Sequence, residues 1–189
     1  NDNVALILGD NFFYGQNLTN KLRKQSQLSK GASVFLHPVN KPELYGVAKI
    51  DKKNKIIGIK EKPKKFYSNY AVTGLYYFDK KVIEYTKKLK PSKRKELEIV
   101  DLLNIYKKKN RLKVDFIGRG GAWLDTGTLD DFYKTSAFVE AIENRQGLKI
   151  ACIEEIAFRN RWINSKNIKN AIKFYGNCKY SEYLKKLIS

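Results

Sequence analysis

Residues 4–11 have the sequence VALILGDN, an unbroken apolar run that ends in Gly9, Asp10 and Asn11. A short run that is apolar at every position predicts a central strand covered on both faces, as in a parallel sheet. The residues after such a strand lie at its carboxyl end, which is the edge where ligands bind in open α/β sheets. Asp10 is therefore a candidate ligand-binding residue, and the alternative is an Asx turn at a strand-to-loop corner.

The patterns that follow alternate between strands and helices. The predicted strands cover residues 32–36, 45–50, 55–60, 70–78 and 112–117. The predicted helices cover residues 15–28, 80–89, 96–109, 129–145, 154–162, 165–175 and 180–188. This order predicts the α/β class, with a Rossmann-like, mixed and mostly parallel sheet followed by a C-terminal helical segment. We expect residues 1–150 to form the α/β core and residues 151–189 to form the helical segment.

The helix predicted over 129–145 has the clearest signals of all. Thr128 is its predicted N-cap, and Asp130 and Asp131 place acidic side chains in the first turn, where the helix dipole favours them. Its apolar residues have the spacing of one helix face, which we expect to be buried: Leu129, Phe132, Tyr133, Ala137, Phe138, Ala141 and Ile142.

The chain is strongly basic, with 38 Lys and Arg residues, 19 Asp and Glu residues and a formal net charge of +19. Between Lys49 and Lys113, 21 residues are basic and 7 are acidic. Such an excess suits contacts with nucleic-acid phosphates. However, 31 of the basic residues are Lys, and Arg is the better reader of bases and phosphates. We therefore favour solvated lysine-rich faces, which leave room for a small phosphorylated ligand, over a nucleic-acid-binding module.

Composition excludes several classes of protein and of site. Because 42% of the residues are hydrophobic, the chain is not globally disordered, and no apolar run is long enough to cross a membrane. Cys152 and Cys178 lie far apart, and with His37 as the only histidine they match no usual zinc spacing. We expect reduced thiols, a cytoplasmic location and no membrane partner. The chain contains no Met and no signal-peptide pattern, which is typical of a sequence entered midway.

A second candidate carboxylate is Asp125, within the string WLDTGT over residues 123–128. It directly precedes a predicted helix N-terminus, a place that attracts anions. The alternative is a loop that carries the N-cap Thr128, with Trp123 as a core residue. Asp10 and Asp125 together could form a two-carboxylate clamp for Mg²⁺, which takes one or two carboxylates plus phosphate oxygens and water.

Residues near the predicted hairpin suit a phosphorylated, hydroxylated ligand. Glu61 can accept paired hydrogen bonds from vicinal hydroxyls, and the adjacent Lys62 supplies a point charge for phosphate; a surface ion pair is the alternative. Gly46, after Tyr45, permits close approach of a ligand to the backbone or marks a simple bend. Arg94 could pair with phosphate or be a solvated loop charge.

Seven strings in this order and at this spacing closely resemble one family of enzymes. They are LGDNFFYG (8–15), YGV (45–47), EKP (61–63), NYAVTGLY (69–76), ELEIVD (96–101), WLDTGT (123–128) and RQGLK (145–149). The family they resemble is bacterial glucose-1-phosphate thymidylyltransferase, which makes dTDP-glucose for deoxysugars such as rhamnose. The string CIEEIAFR (152–159) also resembles the C-terminal segment of that family, so the resemblance covers essentially the whole chain.

The resemblance implies an activity and a set of residues that perform it. It implies that Asp10 and Asp125 hold Mg²⁺, and that Lys62 completes the catalytic set by neutralising the sugar phosphate. The implied substrate-binding residues are Asn11, Tyr45, Gly46, Glu61, Lys62, Val72, Arg94 and Trp123. The implied substrates are glucose 1-phosphate and dTTP, and the implied products are dTDP-glucose and pyrophosphate.

The chain also departs from the family. The resemblance implies an N-terminal Gly-Thr-Arg-Leu loop that binds the nucleotide triphosphate, and the 189 residues contain no such loop. We therefore expect these residues alone to be inactive, and we expect strand 4–8 to expose an edge. The resemblance implies a homotetramer assembled through C-terminal helices. Another sugar-1-phosphate nucleotidylyltransferase remains the alternative, because the base selector of the family lies in the portion that these residues do not contain.

Overall fold

The computed structural model describes residues 2–92 and 95–189. The chain divides into two compact units, Asn1–Gly127 and Thr128–Ser189. The boundary predicted at residue 150 lies inside the second unit, and as a division between functional domains it stays a prediction.

The first unit is an α/β unit. Its strands are β1 (Val4–Ile7), β2 (Asn11–Gly15), β3 (Ala32–Pro38), β4 (Gly46–Ile50), β5 (Ile56–Glu61), β6 (Tyr70–Phe78), β7 (Leu112–Phe116) and β8 (Gly121–Asp125). Its helices are α1 (Leu18–Ser26), α2 (Val82–Thr86) and α3 (Ile99–Lys108), with a 3₁₀ turn over Pro42–Leu44. The strands and helices predicted for this unit, including the hairpin, are therefore confirmed as elements, with ends that differ by a few residues.

The main sheet has the strand order β5-β4-β6-β3-β7, and β1 also pairs with β6. The α/β class with a mixed sheet is confirmed. Among the described residues β3 pairs with β7 in parallel, and the other pairings are antiparallel. The expected predominance of parallel pairs is therefore not observed. The hairpin of β4 and β5 illustrates the reason, because short turns join antiparallel strands whereas parallel strands need long crossovers.

The strand β1 is exposed rather than buried, which corrects the prediction from its apolar run. It pairs antiparallel with β6, but Val4 is 37% exposed and Ile7 is 59% exposed. An apolar run shows only that a strand would be stabilised by burial. Whether the strand is buried depends on other residues that pack over it. The expectation that this strand presents an exposed edge is consistent with these values.

The buried core of the first unit lies on both faces of β3 and β6. One cluster contains Val34, Leu36, Phe78, Leu103 and Tyr106, and these side chains come from β3, β6 and α3. Alternation along β3 places Phe35 on the opposite face, where it joins a second cluster with Trp123.

A buried carboxylate ties these elements together. Asp79 accepts hydrogen bonds from Gly31 N at 2.6 Å, from Tyr106 Oη at 2.9 Å and from Lys81 N at 3.1 Å. Burial and the bond to Asp79 raise the pKa of Tyr106. The Asp79 carboxylate therefore joins Gly31, the residue before β3, to α3.

The strands β2 and β8 form a separate antiparallel ladder that sequence analysis missed. The sequences NFFYG and GAWLD contain aromatic residues that favour strands, but each stretch is only five residues long and one end of each is a glycine. At the far end of the ladder the two strands pack closely because residue 15 is glycine, since a Cβ there would stand only 2.8 Å from the Cα of Gly121. The ladder places Asn11 opposite Asp125.

The second unit is helical and consists of α4 (Leu129–Gln146), α5 (Ile153–Arg159), α6 (Ser165–Tyr175) and α7 (Lys179–Lys186). The predicted N-cap is confirmed, since the Thr128 hydroxyl accepts a hydrogen bond from Asp131 N. The core contains Cys152, Ile168, Tyr183 and Leu184.

The apolar face predicted to be buried on α4 is largely exposed, with Leu129 at 89%, Phe132 at 60% and Tyr133 at 75%. Helical spacing identifies a face that suits packing, but the described residues do not cover it. Both cysteines are free thiols, as expected. Among the described residues, no helix is long and apolar enough to span a membrane.

Candidate functional site

A cleft of about 180 Å³ in the first unit is lined by nine of the residues singled out from the sequence. These nine are Asp10, Asn11, Tyr45, Gly46, Glu61, Lys62, Val72, Trp123 and Asp125. Four of them are end residues of β2, β4, β5 and β8, and three lie one residue beyond a strand end. Val72 and Trp123 lie inside β6 and β8. Arg94 lies outside the described residues.

The carboxylates of Asp10 and Asp125 lie at one end of the β2–β8 ladder and approach the same point. The Asp10 carbonyl oxygen accepts hydrogen bonds from Thr126 N at 2.7 Å and from Thr126 Oγ1 at 2.8 Å. A Cβ at Gly127 would stand 3.4 Å from Asp125 Oδ1 and 3.9 Å from Asp10 Oδ2. Each carboxylate therefore has an oxygen close to Gly127, whose N–H also donates a hydrogen bond to Asp125 Oδ1 at 3.2 Å.

The opposite wall of the cleft is the open end of the β4–β5 hairpin. Gly46 pairs with Glu61 across this hairpin, and a Cβ on Gly46 would stand 2.9 Å from Glu61 Oε2 and 3.2 Å from Val100 Cγ2. Glycine at this position therefore permits the Glu61 carboxylate to lie close against the backbone. This arrangement places a hydrogen-bond acceptor beside an accessible stretch of main chain.

Lys62 adopts a backbone conformation that is uncommon for a residue with a side chain. Its φ is 38°, in the left-handed region, and its N–H donates to the Tyr45 carbonyl oxygen at 3.0 Å. Such conformations cost free energy and cluster at ligand sites, where the surrounding structure holds them. The chain turns away from the strand direction at Lys62, directly after the end of β5, and Lys62 lines the cleft.

The floor of the cleft comes from β6 and includes residues that sequence analysis did not single out. Val72, which it did single out, is 7% exposed, and Gly74 and Tyr76 also line the cleft. Burial raises the pKa of Tyr76, and the negative charge of Glu61 adds to that effect. Alternation along β6 is the signal that relates Val72, Gly74 and Tyr76, because residues at i, i+2 and i+4 share one face of a strand.

The side chain of Trp123 joins the ladder to the rest of the site. Its ring centroid lies 5.0 Å from that of Tyr45 and 6.3 Å from that of His37, in edge-to-face arrangements. Its Nε1 donates a hydrogen bond of 2.6 Å to Asn11 Oδ1. The indole is 8% exposed, so it is both a core residue and a part of the cleft wall.

His37 provides a pH-dependent report on this region. Its Nδ1 is buried without a hydrogen-bond partner among the described residues, and burial lowers its pKa from 6.5. As the pH falls from 6.5 toward the lower pKa of the folded state, the unfolded chain takes up a proton that the folded chain does not. The free energy of unfolding should therefore decrease over this window.

NMR titration of the imidazole C–H signals checks this prediction directly, because His37 is the only histidine. We expect a midpoint below 6.5 and a smaller loss of stability in that window for His37→Gln. A midpoint at or above 6.5 would show that the folded environment does not disfavour the imidazolium.

The chemistry of the cleft suits an anionic ligand with hydroxyl groups. Glu61 supplies an acceptor for hydroxyls, and Lys62 supplies a positive charge for phosphate. The described residues contain no cluster of three or more His, Cys, Asp or Glu side chains that could hold a metal. The pair of Asp10 and Asp125 fits Mg²⁺ in its usual protein setting, with one or two carboxylates and the remaining ligands from phosphate and water.

Comparison with known proteins assigns the class to which this fold and cleft belong. A sequence model of the nucleotidyl transferase family matches residues 1–142. The chain belongs to the nucleotidyl transferase family.

Within that family the chain is homologous to proteins named glucose-1-phosphate thymidylyltransferase. It is 43% identical over 188 residues to the one from Neisseria meningitidis and 47% identical over 180 residues to the one from Xanthomonas campestris pv. campestris. These matches cover 100% and 95% of this chain, and 65% and 61% of the relatives. The chain therefore spans less than two thirds of the length of these relatives.

A solved structure gives the same relationship. The chain is similar to a crystal structure of a putative glucose-1-phosphate thymidylyltransferase from Bacillus anthracis in complex with sucrose, at 43% identity and a TM-score of 0.65. The match covers 73% of this chain and 55% of that one. The resemblance drawn from the seven strings is thus confirmed.

Proposed function

We propose that the whole protein catalyses Mg²⁺-dependent transfer of a thymidylyl group from dTTP to glucose 1-phosphate, giving dTDP-glucose and pyrophosphate. The single observation that carries this proposal is the cleft in which Asp10 and Asp125 lie together with Glu61 and Lys62. Relatives named for this activity, aligned over essentially the whole chain, support the choice of reaction.

The proposed sugar site is the hairpin wall. Glu61 accepts hydrogen bonds from vicinal hydroxyls, while Tyr45, the backbone of Gly46 and the backbone of Val72 contact the hexose ring. The β6 floor is buried, so a sugar with a missing or misplaced hydroxyl would leave a polar group of the cleft without a partner away from water. Leaving such a group unpaired lowers the affinity for that sugar. A hexose of different stereochemistry would leave one acceptor unpaired.

The proposed phosphate site lies between Lys62 and the carboxylate pair. Lys62 neutralises the sugar phosphate, and Arg94 is proposed to assist it. Bound between Asp10 and Asp125, Mg²⁺ would supply positive charge where the phosphates of the two substrates meet. Asp10 and Asp125 would hold this charge, and each has a carboxylate oxygen within 4 Å of the Cβ position of Gly127.

The proposed reaction requires no nucleophile from the protein. A phosphate oxygen of glucose 1-phosphate attacks the α-phosphorus of dTTP, the bond to the β-phosphate oxygen breaks, and pyrophosphate leaves. The attacking group is already ionised, so the residues of the cleft contribute by positioning two anions and neutralising their charge. The described residues that line the cleft include carboxylates and a lysine but no Ser, Cys or His, which agrees with this division of labour.

Calorimetric titration of the 189-residue chain with glucose 1-phosphate tests the proposal. In the presence of Mg²⁺ we expect saturable binding at one site that exceeds binding of inorganic phosphate. We expect no pyrophosphate release when dTTP is added, because the triphosphate loop of the family is not among these residues. Equal binding of inorganic phosphate and glucose 1-phosphate would contradict the hexose site, and robust turnover would contradict the expected inactivity.

The same titration compares the alternatives. Tighter binding of a different hexose 1-phosphate would favour another sugar nucleotidylyltransferase. Binding of duplex or single-stranded DNA with a steep salt dependence would instead favour a nucleic-acid-binding module.

We also propose assembly into a homotetramer, for which sedimentation velocity of the whole protein is the measurement.

A further inference from the structure

We infer that Asn11 is a positioning residue whose locked side-chain amide decides which oxygen of Asp10 is available to a cation. This inference deepens the proposed function and rests on it. It begins with three hydrogen bonds around one amide, which link β2, β6 and β8.

The orientation of the amide follows from its donors. Asn11 Oδ1 lies 2.6 Å from Trp123 Nε1 and 3.1 Å from Gly74 N. An indole N–H and a backbone N–H can only donate, so the atom that faces both must be the amide oxygen. The Nδ2 group must then point the other way, and a flipped amide would leave two donors facing an NH₂ group.

The space for this arrangement comes from Gly74. A Cβ at that position would stand 2.6 Å from Asn11 Cγ and Oδ1 and 2.9 Å from Nδ2. Any other residue at 74 would therefore displace the amide or the strand. The glycine supplies both the donor and the room, so β6 takes part in orienting a side chain of β2.

The locked amide acts on its neighbour. Asn11 Nδ2 donates a 2.8 Å hydrogen bond to Asp10 Oδ1. The other oxygen, Asp10 Oδ2, is the one that lies 3.9 Å from the Cβ position of Gly127, the same position that Asp125 Oδ1 approaches at 3.4 Å. The bond restricts the rotation of the Asp10 carboxylate and leaves Oδ2 on the side of Gly127, the residue whose N–H donates to Asp125 Oδ1 at 3.2 Å.

The consequence is a division of roles between the two oxygens of one carboxylate. Asp10 Oδ1 is bonded to the amide, and Asp10 Oδ2 is presented to the cation together with Asp125. Groups that orient metal ligands in this way contribute about 10- to 100-fold to metal affinity. Trp123 contributes through Asn11, as one of the two donors that hold the amide.

The test uses Mn²⁺ as the probe and the 189-residue chain. Electron paramagnetic resonance of free Mn²⁺ gives the affinity for Asn11→Leu, which removes the amide, and for Trp123→Phe, which removes the indole N–H together with part of the ring. We expect Asn11→Leu to weaken Mn²⁺ binding about 10- to 100-fold, and Trp123→Phe to weaken it about 2- to 10-fold.

The double variant decides whether Trp123 acts through Asn11. If it does, Trp123→Phe should have no further effect on Mn²⁺ affinity once Asn11 is Leu, so the two effects will not add. Additive effects, or wild-type Mn²⁺ affinity in Asn11→Leu, would overturn the inference. Thermal unfolding of each variant separates a loss of cation binding from a loss of fold.

A second measurement needs no cation and keeps the inference separate from the proposed function. In the ¹⁵N–¹H NMR spectrum, the Asn11 side-chain NH₂ signals should shift in both Trp123→Phe and Asp10→Asn. Unchanged NH₂ signals would overturn the locked amide even if Mn²⁺ binds. Shifted signals with no Mn²⁺ uptake by the wild-type chain would instead refute the proposed metal site and the consequence drawn for it.

Discussion

Asp10→Asn and Asp125→Asn are each expected to abolish the cation-dependent part of glucose 1-phosphate binding. An amide keeps the size of the side chain but removes the negative charge that holds Mg²⁺. The loss of Mg²⁺ affinity should be larger than the loss of about 10- to 100-fold that follows removal of a group that only orients a metal ligand. Calorimetric titration with and without MgCl₂ measures the difference.

Asp51→Asn is the matched control for this prediction. Asp51 lies in the turn between β4 and β5 and is not among the residues that line the cleft. We expect its titration to match that of the wild-type chain. Mg²⁺-dependent binding that persists in either Asp10→Asn or Asp125→Asn would remove that carboxylate from the proposed site.

Lys62→Asn is expected to weaken glucose 1-phosphate binding by about 10-fold or more, because a charge-assisted bond to phosphate is lost. Asn is the suitable replacement, since it tolerates the left-handed backbone conformation of residue 62 better than most residues do. The change therefore removes the charge with little added backbone strain. Titration in the absence of Mg²⁺ isolates the contribution of the lysine from that of the cation.

Lys60→Asn supplies the control, because it removes the same charge two residues away, within β5. The Lys60 ammonium group lies over the ring of Tyr67, at 4.4 Å from its centroid, and Lys60 does not line the cleft. A general electrostatic effect of the basic surface would weaken binding equally in both variants. An equal loss would therefore contradict the specific role proposed for Lys62.

The parts of the fold that sequence predicted are those whose signal is local. The apolar run of β6, the hairpin of β4 and β5 and the capped start of α4 each lie within one short stretch of sequence. Whether β1 and the apolar face of α4 are buried or exposed could not be predicted in this way. Burial depends on what covers a surface, and periodicity reports only that the surface is apolar.

The site was predictable in its residue types but not in its geometry. Asp10 and Asp125 were identified as carboxylates near element ends, but their approach depends on the β2–β8 ladder, whose strands are far apart in sequence. The same ladder creates the contact between Asn11 and Trp123, for which no local pattern exists. Long-range pairing of this kind is fixed by packing and register, which a single sequence does not display.

The resemblance to a family supplied what pattern alone left open. Glu61 and Lys62 on their own suit a surface ion pair as well as a sugar phosphate, and only the order of the seven strings favoured the second interpretation. The structure adds that Gly46 gives the Glu61 carboxylate its close position and that Lys62 has an uncommon backbone conformation.

The central claim is that one cation, held by Asp10 and Asp125, lies beside the phosphate of a bound hexose ester. Paramagnetic relaxation of the ³¹P signal of glucose 1-phosphate by Mn²⁺ tests it most directly. The wild-type chain should enhance this relaxation well above that of Mn²⁺ and glucose 1-phosphate alone, and Asp10→Asn and Asp125→Asn should abolish the enhancement. Binding of both Mn²⁺ and glucose 1-phosphate without enhanced ³¹P relaxation would place them apart and contradict the claim.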